Sequence, residues 1–254
     1  MIHWLSNIQE NEQGSEPYST LRWILENAGQ AGNEPRIRPA VASLIDHTLL
    51  RADATPEEVR NLCREAREYH FAGVCVHSSY IPECVEALQG SSAKVFSVAG
   101  FPFGACSTPA KVREAELAVE AGAAEIDMVL HIGRLKAGDN EYVARDVGEV
   151  VRAAAGRPVK VILETVLLSR EEKIRACTLA AEAGARFVKT ATGFAGGGAT
   201  VDDVRLMRET VGTELGVKAA GGIRTLTDAL TMIRAGASRI GTSRGVAIVA
   251  EPSP

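Results

Sequence analysis

The sequence predicts a (β/α)8 barrel preceded by a short N-terminal extension. Three observations carry this. From Ala42 onward, eight short apolar, β-branched runs alternate with longer amphipathic stretches, the pattern of βαβ units and a parallel sheet. An A-G-A signature recurs before strands in "EAGAAEIDMV", "EAGARFVKTA" and "RAGASRIGTS", with Gly122, Gly184 and Gly236 at helix ends and spacings of 62 and 52 residues, two units each. Eight units in roughly 210 residues also suit a barrel, which usually takes about 250. An open doubly wound sheet competes, but it normally carries G-x-G-x-x-G after its first strand, and nothing of that kind follows "SLIDHT".

Residues 1–40 differ from the rest and are read as an extension, with 41–254 as the catalytic barrel. "NEQGSEPYST" and "AGQAGNEPRIRPA" are polar and turn-rich, and they flank "LRWILENA", a short helix with an apolar face of Leu21, Ile24 and Leu25. Both tryptophans, Trp4 and Trp23, fall here. The extension is expected either to pack against the main domain or a partner subunit, or to fray. The strands follow in order as "SLIDHT", "GVCVHS", "KVFSVAG", "EIDMVLH", "VKVILET", "FVKTATG", "GVKAAGG" and "RIGTS". Between them lie helices such as "TPEEVRNLCREAREYH" and "TPAKVREAELAVEAG", in which Thr55 and Thr108 read as N-caps ahead of Pro56 and Pro109.

Composition narrows the function. Of the 254 residues 46% are hydrophobic and 24% charged, the net charge is −4 and the pI is about 5.8. A nucleic-acid surface is not expected, although a local anion site is compatible with this balance. No apolar stretch approaches the roughly 20 residues of a membrane helix, and no secretory signal is expected at the N-terminus. Cys63, Cys75, Cys84, Cys106 and Cys177 are scattered without a C-x-x-C pair, which suggests neither zinc nor disulfides and points to a reducing cytoplasm.

Barrel enzymes place their active sites at the C-terminal ends of the strands. Lysine is scarce, seven against twenty-one arginines, yet Lys189 and Lys218 occupy adjacent buried strands, about 5 Å apart in a sheet. Two inward ammonium groups so close, and desolvated, favour one neutral amine, which attacks carbonyl carbon to form a Schiff base. Asp127, two strands away, is placed to move protons or balance the second charge. Lys160, early on strand five, is read as a structural lysine paired with a nearby carboxylate. Asp46 and His47 end strand one, and His47 is a candidate to order Asp46. Cys75 reads as a buried, inert thiol on a strand facing the same pocket. Glu164 reads as a barrel-mouth carboxylate paired with a lysine or hydroxyl.

The glycines give a second signal. "TGFAGGGAT", "GGIRT" and "GTSRG" follow strands six, seven and eight, where exposed backbone N–H groups and a short helix bind phosphate in many barrels. This brings in Thr192, Gly193, Gly221, Gly222, Thr242 and Ser243. Two different readings are a metal-dependent enzyme using His47, His77 and His131 near strand ends, though no H-x-H or H-E-x-x-H spacing supports it, and a phosphate-binding barrel without catalysis, which leaves Lys189 and Lys218 together unexplained.

"LIDHTLL", "GVCVHSSY", "VFSVAGFPFG", "EIDMVLHIG", "VKVILET", "FVKTATGF", "VKAAGGIRT" and "RIGTSRGVAIV", in order from Ser43 to Val249, together resemble the deoxyribose-phosphate aldolase family. The resemblance implies a class I aldolase on a (β/α)8 barrel, with no metal and no cofactor. Such an enzyme reversibly cleaves 2-deoxy-D-ribose 5-phosphate to acetaldehyde and D-glyceraldehyde 3-phosphate. It implies Lys189 as the Schiff-base lysine, Lys218 as the lysine that perturbs it, Asp127 as the proton-transfer carboxylate and Asp46 near the sugar. Gly193, Gly221, Gly222 and Ser243 match the phosphate region, and the family implies a homodimer or homotetramer. Three departures stand out: Phe194 where some members have lysine, Arg244 where many have a second serine, and an "EPSP" end without the terminal tyrosine of some members, the last tyrosine here being Tyr142.

Overall fold

In the computed structural model, which describes residues 16–30 and 32–250, eight parallel strands close into a barrel in chain order. The strands are β1 (Ile45–Leu49), β2 (Gly73–Val76), β3 (Lys94–Ala99), β4 (Glu125–Val129), β5 (Val159–Ile162), β6 (Phe187–Lys189), β7 (Gly216–Ala220) and β8 (Arg239–Thr242). Before them come α1 (Glu16–Asn27) and α2 (Glu34–Ala42). The outer ring comprises α3 (Pro56–Glu68), α4 (Ile81–Ala87), α5 (Thr108–Glu120), α6 (Ile132–Lys136), α7 (Asn140–Ala153), α8 (Arg170–Glu182), α9 (Val201–Val211), α10 (Leu226–Ala235) and α11 (Gly245–Val249). All eight expected strands are present. Their outward faces are mostly apolar because the helices cover them, while several lumen-facing positions are charged.

Local chemistry sets the helix starts. Thr55 with Glu58, Ser169 with Glu172 and Thr225 with Asp228 form reciprocal capping boxes. The Thr108 expectation is corrected: Ser107 is the cap position and Thr108 is the first helical residue. The Thr108 hydroxyl instead donates to Asp146 Oδ1 at 2.7 Å, and Lys111 Nζ holds Oδ2 at 2.6 Å. A buried carboxylate needs donors, and this need takes the hydroxyl away from the helix end. Gly122, Gly184 and Gly236 adopt φ of 107°, 91° and 120°, the left-handed turn that ends a helix and favours glycine.

The expected helix in the extension is α1. It buries Leu21 and Ile24, half-buries Trp23 and Leu25, and packs against α2 and α10. The Tyr18 hydroxyl donates to Thr213 O at 3.0 Å and Arg234 Nη2 to Ala28 O at 3.1 Å. Trp4 and the last four residues lie outside the described residues. At the other end of the chain, Arg38 Nη1 ties α2 to α11 through Ile248 O and Ala250 O.

Side chains alternate in and out along each strand. Where the inward residue is large, a neighbouring strand gives way. A Cβ on Gly73 would lie 2.7 Å from the Phe96 ring, one on Gly216 2.1 Å from Phe187, and one on Gly241 2.9 Å from Lys218 Cε. These glycines leave room for two aromatic rings low in the lumen and for a lysine stem above them.

Candidate active site

Strand register brings the charged side chains together. Lys189 pairs with Lys218 across β6 and β7, and Asp127 pairs with Lys160 across β4 and β5. Their side chains meet inside the barrel. Asp127 Oδ2 accepts from Lys189 Nζ at 2.9 Å and from Lys218 Nζ at 2.7 Å, while Oδ1 accepts from Lys160 Nζ at 2.7 Å. Asp46 Oδ2 accepts from Lys218 at 2.5 Å, and Asp46 Oδ1 from Arg239 Nη1 at 2.9 Å. Below them Glu125 lies 2.5 Å from Lys160 and 3.5 Å from Arg239. Asp46, Asp127, Lys160 and Lys218 are fully buried, and Lys189 nearly so.

The two lysines of the adjacent strands differ sharply. Burial holds the Lys189 ammonium below the usual lysine range; Asp127 opposes this and Lys218 adds to it. Burial also disfavours charge on Lys218, but Asp127 and Asp46 outweigh it and raise that group above the usual range. Lys160 is raised as well, because Asp127 and Glu125 outweigh its burial. Asp127, despite burial, is held well below the carboxylate range by Lys160, Lys189 and Lys218. Asp46 drops to about 2 against the burial effect, under Lys218, Arg239 and Lys160. Burial, reinforced by Asp127, pushes the Cys75 thiol up to about 11.

A cavity of about 710 Å³ opens at the C-terminal ends of the strands. Lys189 reaches it from below, and Thr192, Gly193, Gly221, Gly222 and Ser243 line its wall. Gly193, Gly221 and Gly222 have φ of 87°, 92° and 81°, the left-handed region that favours glycine, and at Gly221 a Cβ would also lie 2.8 Å from the Gly198 backbone. The expected short helix after strand eight is α11, which starts at Gly245. Arg224 and Arg244 also line the cavity. Phe194 stands on the β6 side, half-exposed, edge-to-face with Phe101 at 5.3 Å.

Other expected residues are placed differently. Asp46 is sealed beneath the cavity, where it holds Lys218 rather than lining the wall. Cys75 is also sealed, in a small apolar cluster with Leu50, Phe96 and Val98. Thr242 lines the cavity, but its hydroxyl donates to Ile223 O and accepts from Arg244 N, joining two loops. Lys160 does pair with carboxylates, Glu125 and Asp127, and through Asp127 it belongs to the central network and does not stand apart from it. Glu164 accepts from the Thr192 hydroxyl and backbone N–H. Its φ of 56° is rare for a side chain with a Cβ, and these bonds hold it there.

The three histidines do not converge. His47 Nε2 meets Glu65 at 2.7 Å, His77 Nε2 meets Leu50 O at 2.9 Å, and His131 Nδ1 accepts from Arg134 N at 3.3 Å. Among the described residues, no three metal-ligating side chains are grouped. His47 turns to Glu65, and the partners that order Asp46 are Lys218 and Arg239 instead. Glu125 and Arg239 were not singled out from the sequence. The alternation in "EID" places Glu125 on the same face as Asp127, a signal that was there to be read.

A family model described as DeoC/LacD family aldolase matches residues 40–251. The chain belongs to this aldolase family. It is 56% identical over 213 residues to the deoxyribose-phosphate aldolase of Carboxydothermus hydrogenoformans, covering 82% of this chain and 93% of that one. It is also 56% identical over 205 residues to the deoxyribose-phosphate aldolase of Streptococcus uberis, covering 81% and 93%. Among solved structures, the deoxyribose-phosphate aldolase of Aeropyrum pernix, described as a unique tetramer, superposes with a TM-score of 0.80 at 36% identity, covering 91% of this chain and 95% of that one.

Proposed function

We propose that Lys189 is the Schiff-base nucleophile of a class I aldolase that reversibly cleaves 2-deoxy-D-ribose 5-phosphate to acetaldehyde and D-glyceraldehyde 3-phosphate. The observation that carries this is the placement of the buried Lys189 amine at the foot of the cavity, 2.9 Å from Asp127 and in register with Lys218 on the next strand. The free amine attacks C1 of the open-chain sugar, and loss of water gives an iminium. The C2–C3 bond then breaks as the C3 hydroxyl loses its proton. The bonding pair moves into C2=C1 to give an enamine, and C3 leaves as the aldehyde of glyceraldehyde 3-phosphate. Protonation at C2 and hydrolysis release acetaldehyde and restore Lys189.

Asp127 is the group that exchanges protons with the reacting atoms, because it is the carboxylate bonded to Lys189. Lys218 serves as its proton partner and as the cation that weakens the hold of Lys189 on a proton. Asp46 orients Lys218. The amides of the Gly193 and Gly221–Gly222 turns, with Ser243, Arg224 and Arg244 around the same cavity, form the phosphate end. The chain is proposed to act in the cytoplasm as a homodimer or homotetramer; among the described residues, no helix is long and apolar enough to cross a membrane.

The direct test is borohydride reduction with deoxyribose 5-phosphate followed by peptide mass mapping. An adduct on the peptide holding Lys189 is the expected result. A folded protein that binds the sugar and yields no adduct would overturn the mechanism.

A further inference from the structure

The first residues of β4 and β8 lie at the end of the barrel away from the cavity, a face that ordinarily serves stability. Here both carry charge into the lumen. Glu125 meets Lys160 at 2.5 Å and Arg239 at 3.5 Å; Arg239 also meets Asp46 at 2.9 Å. The rings of Phe96 and Phe187 flank this layer, with the Arg239 guanidinium 5.6 and 5.5 Å from their centroids and Lys160 Nζ 4.5 Å from Phe96. The Arg239 and Glu125 side chains are only 15% and 13% exposed, so the charges here are less screened than at the surface.

The lumen therefore has a definite charge count. Its cationic groups are Lys160, Lys189, Lys218 and Arg239, and its carboxylates are Asp46, Asp127 and Glu125. The groups facing Lys189 come from every strand. Asp46 is on β1, Glu125 and Asp127 on β4, Lys160 on β5, Lys218 on β7 and Arg239 on β8. On β2, Cys75 stays a neutral thiol. β3 brings Phe96 and Val98, with its Lys94 exposed. Glu164, after β5, is turned to Thr192. Four cations face three carboxylates, so one cation is in excess. The most economical state leaves one cationic site unprotonated. An arginine does not release its proton in this range, and Lys160 and Lys218 each contact two carboxylates closely, whereas Lys189 contacts one.

We propose that Arg239 and Glu125 are positioning residues which, through Asp46 and Lys160, set the charge count of the lumen in opposite senses, Arg239 favouring and Glu125 opposing the free amine of Lys189, and so fix the pH at which that amine forms. Arg239 supplies the surplus cation. Glu125 limits the surplus to one by neutralising Lys160. This rests on Lys189 being the nucleophile, and it gives the floor of the barrel a part in the chemistry at its mouth.

The test is the pH profile of kcat/KM in Arg239→Gln and Glu125→Gln. Removing the arginine leaves the charges balanced with Lys189 protonated, so Lys189 holds its proton more tightly and the acid limb moves to higher pH. Removing the carboxylate raises the surplus, so the acid limb moves to lower pH. Each shift is expected to be about one pH unit. Arg239→Lys keeps the charge and should return the limb to its wild-type position. Opposite shifts of the pair would support the proposal. Two variants that lose thermal stability but keep the wild-type limb, or that shift it in the same direction, would overturn it. If Arg239→Gln fails to fold, Glu125→Gln decides alone: a downward shift supports the proposal and an unmoved limb overturns it. Borohydride trapping of the wild-type protein separately checks that Lys189 is the nucleophile, so failure of that assignment is distinguishable from failure of the charge count.

Discussion

Lys189 and Lys218 donate to the same oxygen, Asp127 Oδ2, at 2.9 and 2.7 Å. One carboxylate oxygen thus sits between two amines of opposite tendency. Asp46 and Asp127 raise the basicity of Lys218, whereas burial and Lys218 lower that of Lys189, the amine proposed to attack. This asymmetry makes the two lysines non-equivalent in any substitution experiment. Lys189→Leu should reduce cleavage to background while the protein stays folded, since the lost group is the one least committed to its charge. Turnover near the wild-type rate in that variant, measured by coupled detection of glyceraldehyde 3-phosphate, would remove the covalent mechanism.

Lys218→Leu should behave differently. Trapping of substrate on Lys189 should persist at high pH, with turnover lower by about 10²- to 10⁴-fold from the lost proton partner. Lys218 is among the groups that depress Lys189. Its removal therefore raises the basicity of Lys189, and the acid limb of kcat/KM should move to higher pH. An acid limb that stays in place would mean burial alone sets the state of Lys189.

Asp127→Asn keeps the shape of the side chain and removes the charge shared by three lysines. Turnover should fall by about 10²- to 10⁴-fold. Stability should fall too, because truncating one partner of a buried ion network leaves the others uncompensated, at a cost of about 3–5 kcal/mol. Urea denaturation, read beside the activity assay, separates the two effects. A variant as stable as the wild type would show that Lys160 and Lys218 find enough compensation in Glu125 and Asp46.

Much of this site was open to reading from the chain. The eight strands stood out because β-branched runs sit between helix caps and left-handed glycines, all of them local signals. Lys189, Lys218 and Asp127 are legible as polar residues on the strands near their C-terminal ends, and the two lysines stand out because lysine is scarce in the chain. The sharing of Asp127 by Lys160 was not local information. It depends on the register that sets Asp127 beside Lys160 and two residues of β5 below Lys189. Arg239 and Glu125 begin their strands, at the end of the barrel away from where its chemistry is expected. At the start of α5 the cap position falls to Ser107 for a non-local reason: the hydroxyl of Thr108 answers to Asp146, thirty-eight residues away.

The acid stability of the fold follows from the same network. The Asp46 carboxyl moves from 3.8 in the free residue to about 2 in the folded chain. A depressed folded value means the contribution is fully present above the unfolded value and is lost as pH falls through the folded one. Stability should therefore decline between about pH 4 and pH 2, and Asp46→Asn should flatten that part of the curve. Thermal melts across this window, compared between the two proteins, test it. Parallel curves would place the acid-sensitive group elsewhere.

The phosphate end offers a gain rather than a loss. Phe194 follows the Gly193 turn, is half-exposed, and occupies the cavity wall on the β6 side, with Arg224 and Arg244 contributed by the loops after β7 and β8. Phe194→Lys places a cation on a wall that now offers a ring and backbone amides. Removing the ring costs its edge-to-face contact with Phe101, worth about 1 kcal/mol or less at so exposed a position. One added charge-assisted contact to a phosphate should lower KM for deoxyribose 5-phosphate by about tenfold, roughly 1.4 kcal/mol, with kcat nearly unchanged. Because the contact is exposed, the gain should shrink at high salt. Unphosphorylated 2-deoxyribose should gain nothing. An equal fall in KM for both sugars would show that the new side chain acts on the sugar or the loop, and the phosphate would then have to lie away from the β6 wall.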